Sequence, residues 1–218
     1  MKAIFLVLFF LTTFFANAQS SGKPFRSGSI ELKYRPSLQF YVFNDKDSNK
    51  AGCPGWLIVN VKYDASNKKK GNNTVAWLDD VTMKTEVVIP GVYKSKNVIV
   101  LLTGKTVFWS IPMDGKKHQA VACIPPQVIA RFARKGNKIA ISKIIARVTF
   151  YDKNSKPIMR LYSSSGNRIK TYFSSKVDGA ISSGGMLTVE DIIMPRNKTP
   201  WGVINFEFYD LIKPDSQK

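Results

Sequence analysis

The 218-residue chain carries 33 Lys and Arg side chains against 15 Asp and Glu, which gives a formal net charge of +18. Its single histidine excludes a histidine-rich zinc site, and a serine or cysteine nucleophile would have only one histidine to act as its base. The length suits one large β-domain or one domain with appendages, and the charge favours polyanions or anionic surfaces as partners.

The first 18 residues have the pattern of a secretory signal peptide. Lys2 provides the basic start, residues 3–15 are apolar, and Ala16-Asn17-Ala18 is a small-x-small cleavage site. The apolar run is shorter than the ~20 residues of a membrane span. We therefore predict a secreted or periplasmic protein, or one at the outer cell surface, with no membrane span.

The mature chain is predicted to be one domain behind a short arm. Residues 19–28 are polar and rich in Ser and Gly, which predicts a flexible N-terminal arm before a single β-sandwich domain over residues 29–218. Within that domain, residues 163–185 form a Ser/Gly-rich excursion with a strand-like island at 168–173. We expect a mobile loop, a β-excursion or a segment ordered by a partner.

A central strand is predicted at residues 56–63. Leu57, Val59, Val61 and Tyr63 fall on one side of an extended chain, and this alternation is typical of a half-buried strand. Similar patterns bring the total to about ten strands, the usual content of a sandwich. The other segments are 29–35, 38–43, 74–90, 97–103, 106–111, 118–124, 138–151, 157–162, 186–194 and 201–209.

Turn and helix signals complete the predicted fold. Gly104 is expected to break a buried strand, and Asp114-Gly115 is expected to reverse the chain. The one predicted helix is 125–136, where proline can open it and Gly136 can close it. The fold class is therefore all-β, an immunoglobulin-like β-sandwich with one short helix, although the cysteine and tryptophan spacings of antibody domains are absent.

Three predicted strands end in the pair Tyr-Asp, at residues 63–64, 151–152 and 209–210. Tyrosine suits a strand end because its ring can pack while its hydroxyl stays in water, and aspartate often starts a turn. The intervals are uneven, so we read these pairs as repeated strand-end chemistry and not as a structural repeat.

Residues with acid–base or metal chemistry are sparse. His118 lies at a strand start and is expected at the surface. Asp79-Asp80 and Glu190-Asp191 could form a glycosidase pair only across the fold, since neighbours on a strand point to opposite faces. The loop at 44–52 imitates the start of a calcium loop but lacks its glycine and final glutamate. We predict no catalytic, cofactor or metal site, and no enzyme.

The two cysteines, Cys53 and Cys123, allow one disulfide. Export places the chain in an oxidising compartment, where such a bridge would constrain the unfolded state. We favour the disulfide, and two buried free thiols are the alternative.

A basic stretch is the best candidate for a binding surface. Residues 115–177 contain 14 Lys and Arg and one acid, Asp152. Cations on a helix and the following strand could together bind phosphate, sulfate or carboxylate groups. Alternatively, these lysines and arginines serve solubility on scattered faces. The candidate anion or partner surface comprises Arg131, Arg134, Lys135, Lys138, Lys143 and Arg147.

Residues 101–106 (Leu-Leu-Thr-Gly-Lys-Thr), 114–118 (Asp-Gly-Lys-Lys-His) and 125–132 carry a family resemblance over about residues 95–160. The chain resembles exported immunoglobulin-like proteins of Verrucomicrobia-type bacteria that are associated with type IV pilus genes. The resemblance implies a secreted, non-catalytic protein of the envelope or pilus, and it carries over no binding residues. The long retained helix of a pilin is absent, so we do not expect a pilin subunit.

The sequence therefore predicts an exported, non-enzymatic protein-interaction or structural protein of the cell envelope, associated with pili or adhesion. Its expected partners are other envelope or pilus proteins, or further copies of itself, and no cofactor is implied. The alternative function is a binder of sulfated or sialylated glycans through the basic surface. Export and the lack of a nucleic-acid motif argue against nucleic acid as a partner.

Overall fold

Two β-sheets packed face to face form the protein, which confirms the predicted all-β sandwich. A computed structural model describes residues 24–36, 55–66, 76–133, 139–164, 167–183, 186–202 and 210–214. The predicted signal peptide, the calcium-like loop and the predicted strand at 38–43 lie outside these ranges. In spatial order, the first sheet consists of β1 (Phe25–Arg35), β2 (Trp56–Ser66), β5 (Asp114–Ile124) and β9 (Met194–Pro195), each antiparallel to its neighbour.

The second sheet is built on a long hairpin of two 17-residue strands. Its spatial order is β10 (Leu211–Ile212), β4 (Lys96–Pro112), β3 (Trp77–Tyr93), β6 (Ile145–Tyr151) and β7 (Pro157–Tyr162), while β8 (Leu187–Val189) pairs parallel with β4. The predicted hairpin of β6 and β7 is confirmed.

Strand β2 lies inside the first sheet between β1 and β5. The side chains of Leu57, Val59, Val61 and Tyr63 are at most 1% exposed and face the second sheet. The opposite face is more covered than the alternation predicted, because Ile58 and Asn60 are also buried. Asn60 donates to Glu31 Oε2 at 3.1 Å and accepts from Gln119 Nε2 at 2.6 Å. Its buried amide is therefore hydrogen-bonded to both neighbouring strands, β1 and β5, on the outer face of this sheet.

Three aromatic rings close one end of the core. Phe25, Tyr63 and Phe150 have ring centroids 5.0–5.2 Å apart in edge or tilted contacts. Phe25 lies within the predicted flexible arm, yet β1 begins at this residue and its side chain is 3% exposed. Burial of this ring is the physical reason why the β-sandwich includes residues that were assigned to the arm.

The predicted helix after Pro125 is present and shorter than expected. Helix α1 (Pro126–Phe132) buries Ile129 and Phe132, and the N–H of Ala133 bonds to the Ile129 carbonyl. Ala133 is already extended, so the helix ends before the predicted stop at Gly136, which lies outside the described residues.

Residues 167–183 of the Ser/Gly-rich excursion are helical, and the strand predicted at 168–173 is wrong. These residues form α2 (Asn167–Tyr172), a π-helical segment (Phe173–Val177) and α3 (Asp178–Ser183). We call residues 167–183 the helical cover. Phe173 and Val177 are fully buried against Val88 and Leu101, so the cover is held on the outer face of the second sheet by apolar packing.

Strand β4 runs without a break through Gly104, contrary to the prediction. A Cβ on Gly104 would lie 2.1 Å from the Ile193 carbonyl oxygen. The backbone N–H groups of Ile192 and Ile193 both bond to the Thr103 carbonyl beside it, at 3.0 and 3.1 Å. Glycine therefore serves here for close approach of another chain segment and does not end the strand.

The chain does not form the expected reversal at Asp114-Gly115; it crosses there from the second sheet to the first. Strand β4 ends at Pro112 in the second sheet, and β5 starts at Asp114 in the first. The two strands are thus separated by Met113 alone and do not form a hairpin. A short 3-10 turn (Ile141–Lys143) precedes β6, and another (Arg196–Lys198) follows β9.

Candidate functional site

A groove crosses the outer face of the second sheet beside the helical cover. It consists of two adjoining depressions, of about 470 and 320 Å³, which share Pro90, Ile99 and Lys143. Pro90 and Ile99 are cross-strand partners on β3 and β4, so the floor is the β3–β4 hairpin itself. The remaining lining residues of this outer groove are Val88, Gly91, Asn97, Val98, Ile139, Ala140, Ile145, Arg168, Ile169 and Tyr172.

The groove combines an apolar floor with cationic walls. Ile99 is 47% exposed at its centre, and its cross-strand neighbour Pro90 is exposed as well. Lys143 comes from the 3-10 turn on one side and Arg168 from α2 in the helical cover. None of the described residues that line the groove is acidic, so its charge is positive.

The structure brings part of the predicted basic surface to this groove. Lys143 lines it directly. Arg131 is exposed on α1, whose last residue, Phe132, packs against the lining residue Gly91; a Cβ there would be 2.9 Å from Phe132 Cβ. Arg134, Lys135 and Lys138 lie outside the described residues, in the chain segment between Phe132 and Ile139.

Arg147 is not part of that surface, and this prediction is corrected. Its side chain is 8% exposed and binds Glu86 through two bonds, at 2.6 and 3.0 Å, and Asp178 through two more, at 3.0 and 2.7 Å. The guanidinium also lies 4.7 Å over the Phe173 ring. Because its donors are used internally, Arg147 fastens the helical cover to the sheet and is not free to bind an external anion.

The charges in this cluster stabilise one another. Burial alone would raise the pKa of Glu86, but hydrogen bonds and charge from Arg147, with Lys84 at 3.0 Å, hold that pKa below its ordinary value. The bond from Arg147 likewise lowers the pKa of Asp178. The carboxylates of Glu86 and Asp178 therefore stay ionised at neutral pH, and the positive charge of Arg147 compensates them.

His118 is largely buried, contrary to the surface position predicted. Its side chain is 10% exposed and is held between two carboxylates, with Nδ1 3.0 Å from Asp210 and Nε2 3.0 Å from Asp114. The ring stacks on Tyr63, whose hydroxyl donates to Asp210. The bond to Asp210 leads the causes that raise the histidine pKa, while burial opposes them.

This cluster joins the short C-terminal strand to β2 and β5. Tyr63 and Asp210 each belong to one of the three Tyr-Asp pairs noted in the sequence, but nothing in the sequence indicated that these two residues bind each other. The hydroxyl of Tyr63 is bound by Asp210 and is not in water as expected. Burial, followed by the nearby Asp210 charge, places the pKa of Tyr63 well above its ordinary value.

Other residues considered from the sequence do not assemble into a site. Asp79 accepts a bond from Ser110 at 2.7 Å, and Asp80 pairs with Lys213. The described residues contain no group of three or more side chains placed to hold a metal ion. Within the same ranges, no helix has the length and apolar character needed to cross a bilayer.

Cys123 is fully buried in the first sheet and forms no disulfide with another described residue. In the reduced form, burial raises the pKa of this thiol to about 12, so the sulfur stays protonated at neutral pH. Cys53 lies outside the described residues, and the disulfide between them stays a prediction.

Comparison with known proteins supports the fold and shows the family. The crystal structure of a protein from Akkermansia muciniphila matches with a TM-score of 0.59 at 14% identity, covering 87% of this chain and 92% of that one. At this identity the likeness shows the fold alone, but the organism is a member of the Verrucomicrobia, consistent with the resemblance noted in the sequence. No curated protein matches the chain. A protein-family model matches residues 16–216, nearly the whole sequence, and the chain belongs to that family.

Proposed function

We propose that the protein is an exported, non-catalytic binding protein of the cell envelope that holds a partner protein in the outer groove. The observation that carries this proposal is the exposed apolar floor around Ile99, walled by Lys143 and Arg168. Concave apolar surface with a few placed polar groups is typical of binding sites. The predicted signal peptide supports a role outside the cytoplasm.

The state of the acid–base residues supports a binding role over catalysis. The single histidine is committed to two carboxylates and a tyrosine, and the ring is mostly covered. The buried acid Glu86 is bound by Arg147. These groups hold the fold together, and none of them lines the outer groove.

The test is capture of envelope proteins by the immobilised mature protein and two matched variants. Ile99→Asp places a charge on the groove floor, and Leu211→Asp makes the same kind of change at another exposed aliphatic residue, 68% exposed on β10, which pairs with β4 near Ser110. A specific partner should be retained by the wild type and by Leu211→Asp and lost with Ile99→Asp. Equal retention by all three proteins would contradict the proposal. Identification of a pilus component as the retained protein would place the function in pilus biology.

A binder of anionic glycans is the second candidate, because Arg131, Lys143 and Arg168 are all exposed cations on or beside the groove. Elution from immobilised heparin by a salt gradient tests it. Charge reversal by Lys143→Glu with Arg168→Glu should advance elution far more than reversal of two exposed lysines elsewhere, Lys116 and Lys117. An equal effect of both pairs would indicate only non-specific attraction to a basic protein.

A further inference from the structure

The floor of the outer groove is poorly suited to a sugar. Pro90 and Ile99 lie across from each other, and Val88 and Ile145 continue the same apolar face. A glycan lying on this floor would present hydroxyl groups to side chains that offer no hydrogen-bond partners, and such groups lose their water without replacement. Apolar side chains of a polypeptide would instead be buried favourably there.

The walls of the groove select the charge of the partner. Lys143 lines both depressions, and Arg168 lines the smaller one. On the same sheet face, the acids Glu86 and Asp178 are already bound by Arg147 and do not offset these two cations. A segment with acidic side chains is therefore attracted, while a basic segment is repelled.

A second copy of this chain does not meet that requirement. The whole protein carries a formal net charge of +18. Two copies would repel each other at long range, and the positive groove of one copy has little to gain from the basic surface of another.

We infer that the outer groove binds an extended acidic polypeptide segment in which apolar side chains, seated on the floor formed by Pro90, Ile99 and Ile145, are interspersed with carboxylates that reach Lys143 and Arg168. This inference rests on the proposed function, because it names the class of partner for the same groove. In an extended segment, alternate side chains point to opposite sides, so every second residue can meet the floor while its neighbours point away from it, towards the long cationic side chains at the rim of the groove.

A phage-displayed library of random 12-residue peptides, selected in parallel on three immobilised proteins, tests the inference. The wild type and Leu211→Asp should enrich peptides in which Asp or Glu is mixed with Leu, Ile or Phe, and Ile99→Asp should not. A synthetic peptide of the enriched sequence should lose about tenfold or more in affinity with Ile99→Asp and with Lys143→Glu, as expected for residues at the centre of an interface.

Several results would overturn the inference. These are the absence of any enriched peptide, the enrichment of basic or uncharged peptides, and equal affinity of the selected peptide for Ile99→Asp. If no acidic peptide is selected while envelope protein is still captured in a groove-dependent way, the proposed function stands and the inference fails. If only heparin binding depends on the groove, both the proposed protein-binding function and the peptide inference are wrong, and glycan binding takes their place.

Discussion

Arg147 shows how a residue in a basic stretch can serve the interior of a protein. Sequence spacing placed it with other cations, but its partners Glu86 and Asp178 are 61 and 31 residues away along the chain. Local patterns do not reveal such pairings, because they depend on which strands become neighbours. The same holds for His118 and Asp210, which are 92 residues apart.

Removal of the Arg147 charge should destabilise the protein strongly. Arg147→Met leaves Glu86 buried without its main partner, and we expect a loss of about 3–5 kcal/mol in the free energy of unfolding. Urea denaturation measures this value. The double variant Arg147→Met with Glu86→Leu, which removes both charges, should recover most of the loss; a double variant as unstable as the single one would contradict this account.

The His118 cluster predicts a pH-dependent stability. The folded pKa of His118 lies above its unfolded value of about 6.5, since Asp210 and Asp114 favour the charged ring. The stabilisation is thus complete below that value and is lost as the pH rises through the folded pKa. His118→Gln should cost about 1–3 kcal/mol at pH 5.5 and progressively less at higher pH. Melting temperatures of both proteins from pH 5 to 9 test this; a difference that stays constant would contradict it.

At the scale of elements, regular strands were predictable and the helical cover was not. Strand β2 shows its alternation directly in the sequence, and β3 and β6 do the same. The cover was hidden by its Ser and Gly content, which we interpreted as a loop. A helical signal was present in Ile169, Phe173 and Val177, spaced four residues apart on one face. The island at 168–173 was too short to distinguish that period from a strand.

Loss of the Phe173 ring should detach the helical cover. Phe173→Ala is expected to cost about 3–5 kcal/mol, because the ring is fully buried against the sheet. Limited proteolysis should then cut within residues 167–183 faster than elsewhere. Ser174→Ala, at the exposed neighbouring position, is the control; it removes only an exposed hydrogen bond to the Thr171 carbonyl and should change stability and cleavage far less.

Gly104 should tolerate no side chain. Gly104→Ala would put a methyl group against the Ile193 carbonyl, and we expect a loss of at least about 1–3 kcal/mol as the two segments separate. Gly179→Ala is the matched control, since a Cβ there meets nothing within 4 Å and alanine favours the helix. Thermal unfolding should show a lower melting temperature for the first variant and an equal or higher one for the second.

At the scale of the whole molecule, composition and periodicity predicted the class of fold, and sheet order required the structure. The sandwich followed from many short alternating segments with turns between them. The passage between sheets at Met113 and the close approach at Gly104 depend on contacts distant in sequence. For the candidate site, the sequence supplied Lys143 and a general expectation of positive charge, but the apolar floor at Pro90 and Ile99 emerged only when β3 and β4 were paired.

Hydrogen–deuterium exchange of the mature protein, with and without its captured envelope partner, tests the central claim most directly. The account predicts slower exchange at residues 88–101 and 168–172, which form the floor and one wall of the outer groove. Exchange around Leu211 and β10 should remain unchanged. Protection confined to β10 or to the first sheet would show that the partner binds elsewhere and would contradict the account.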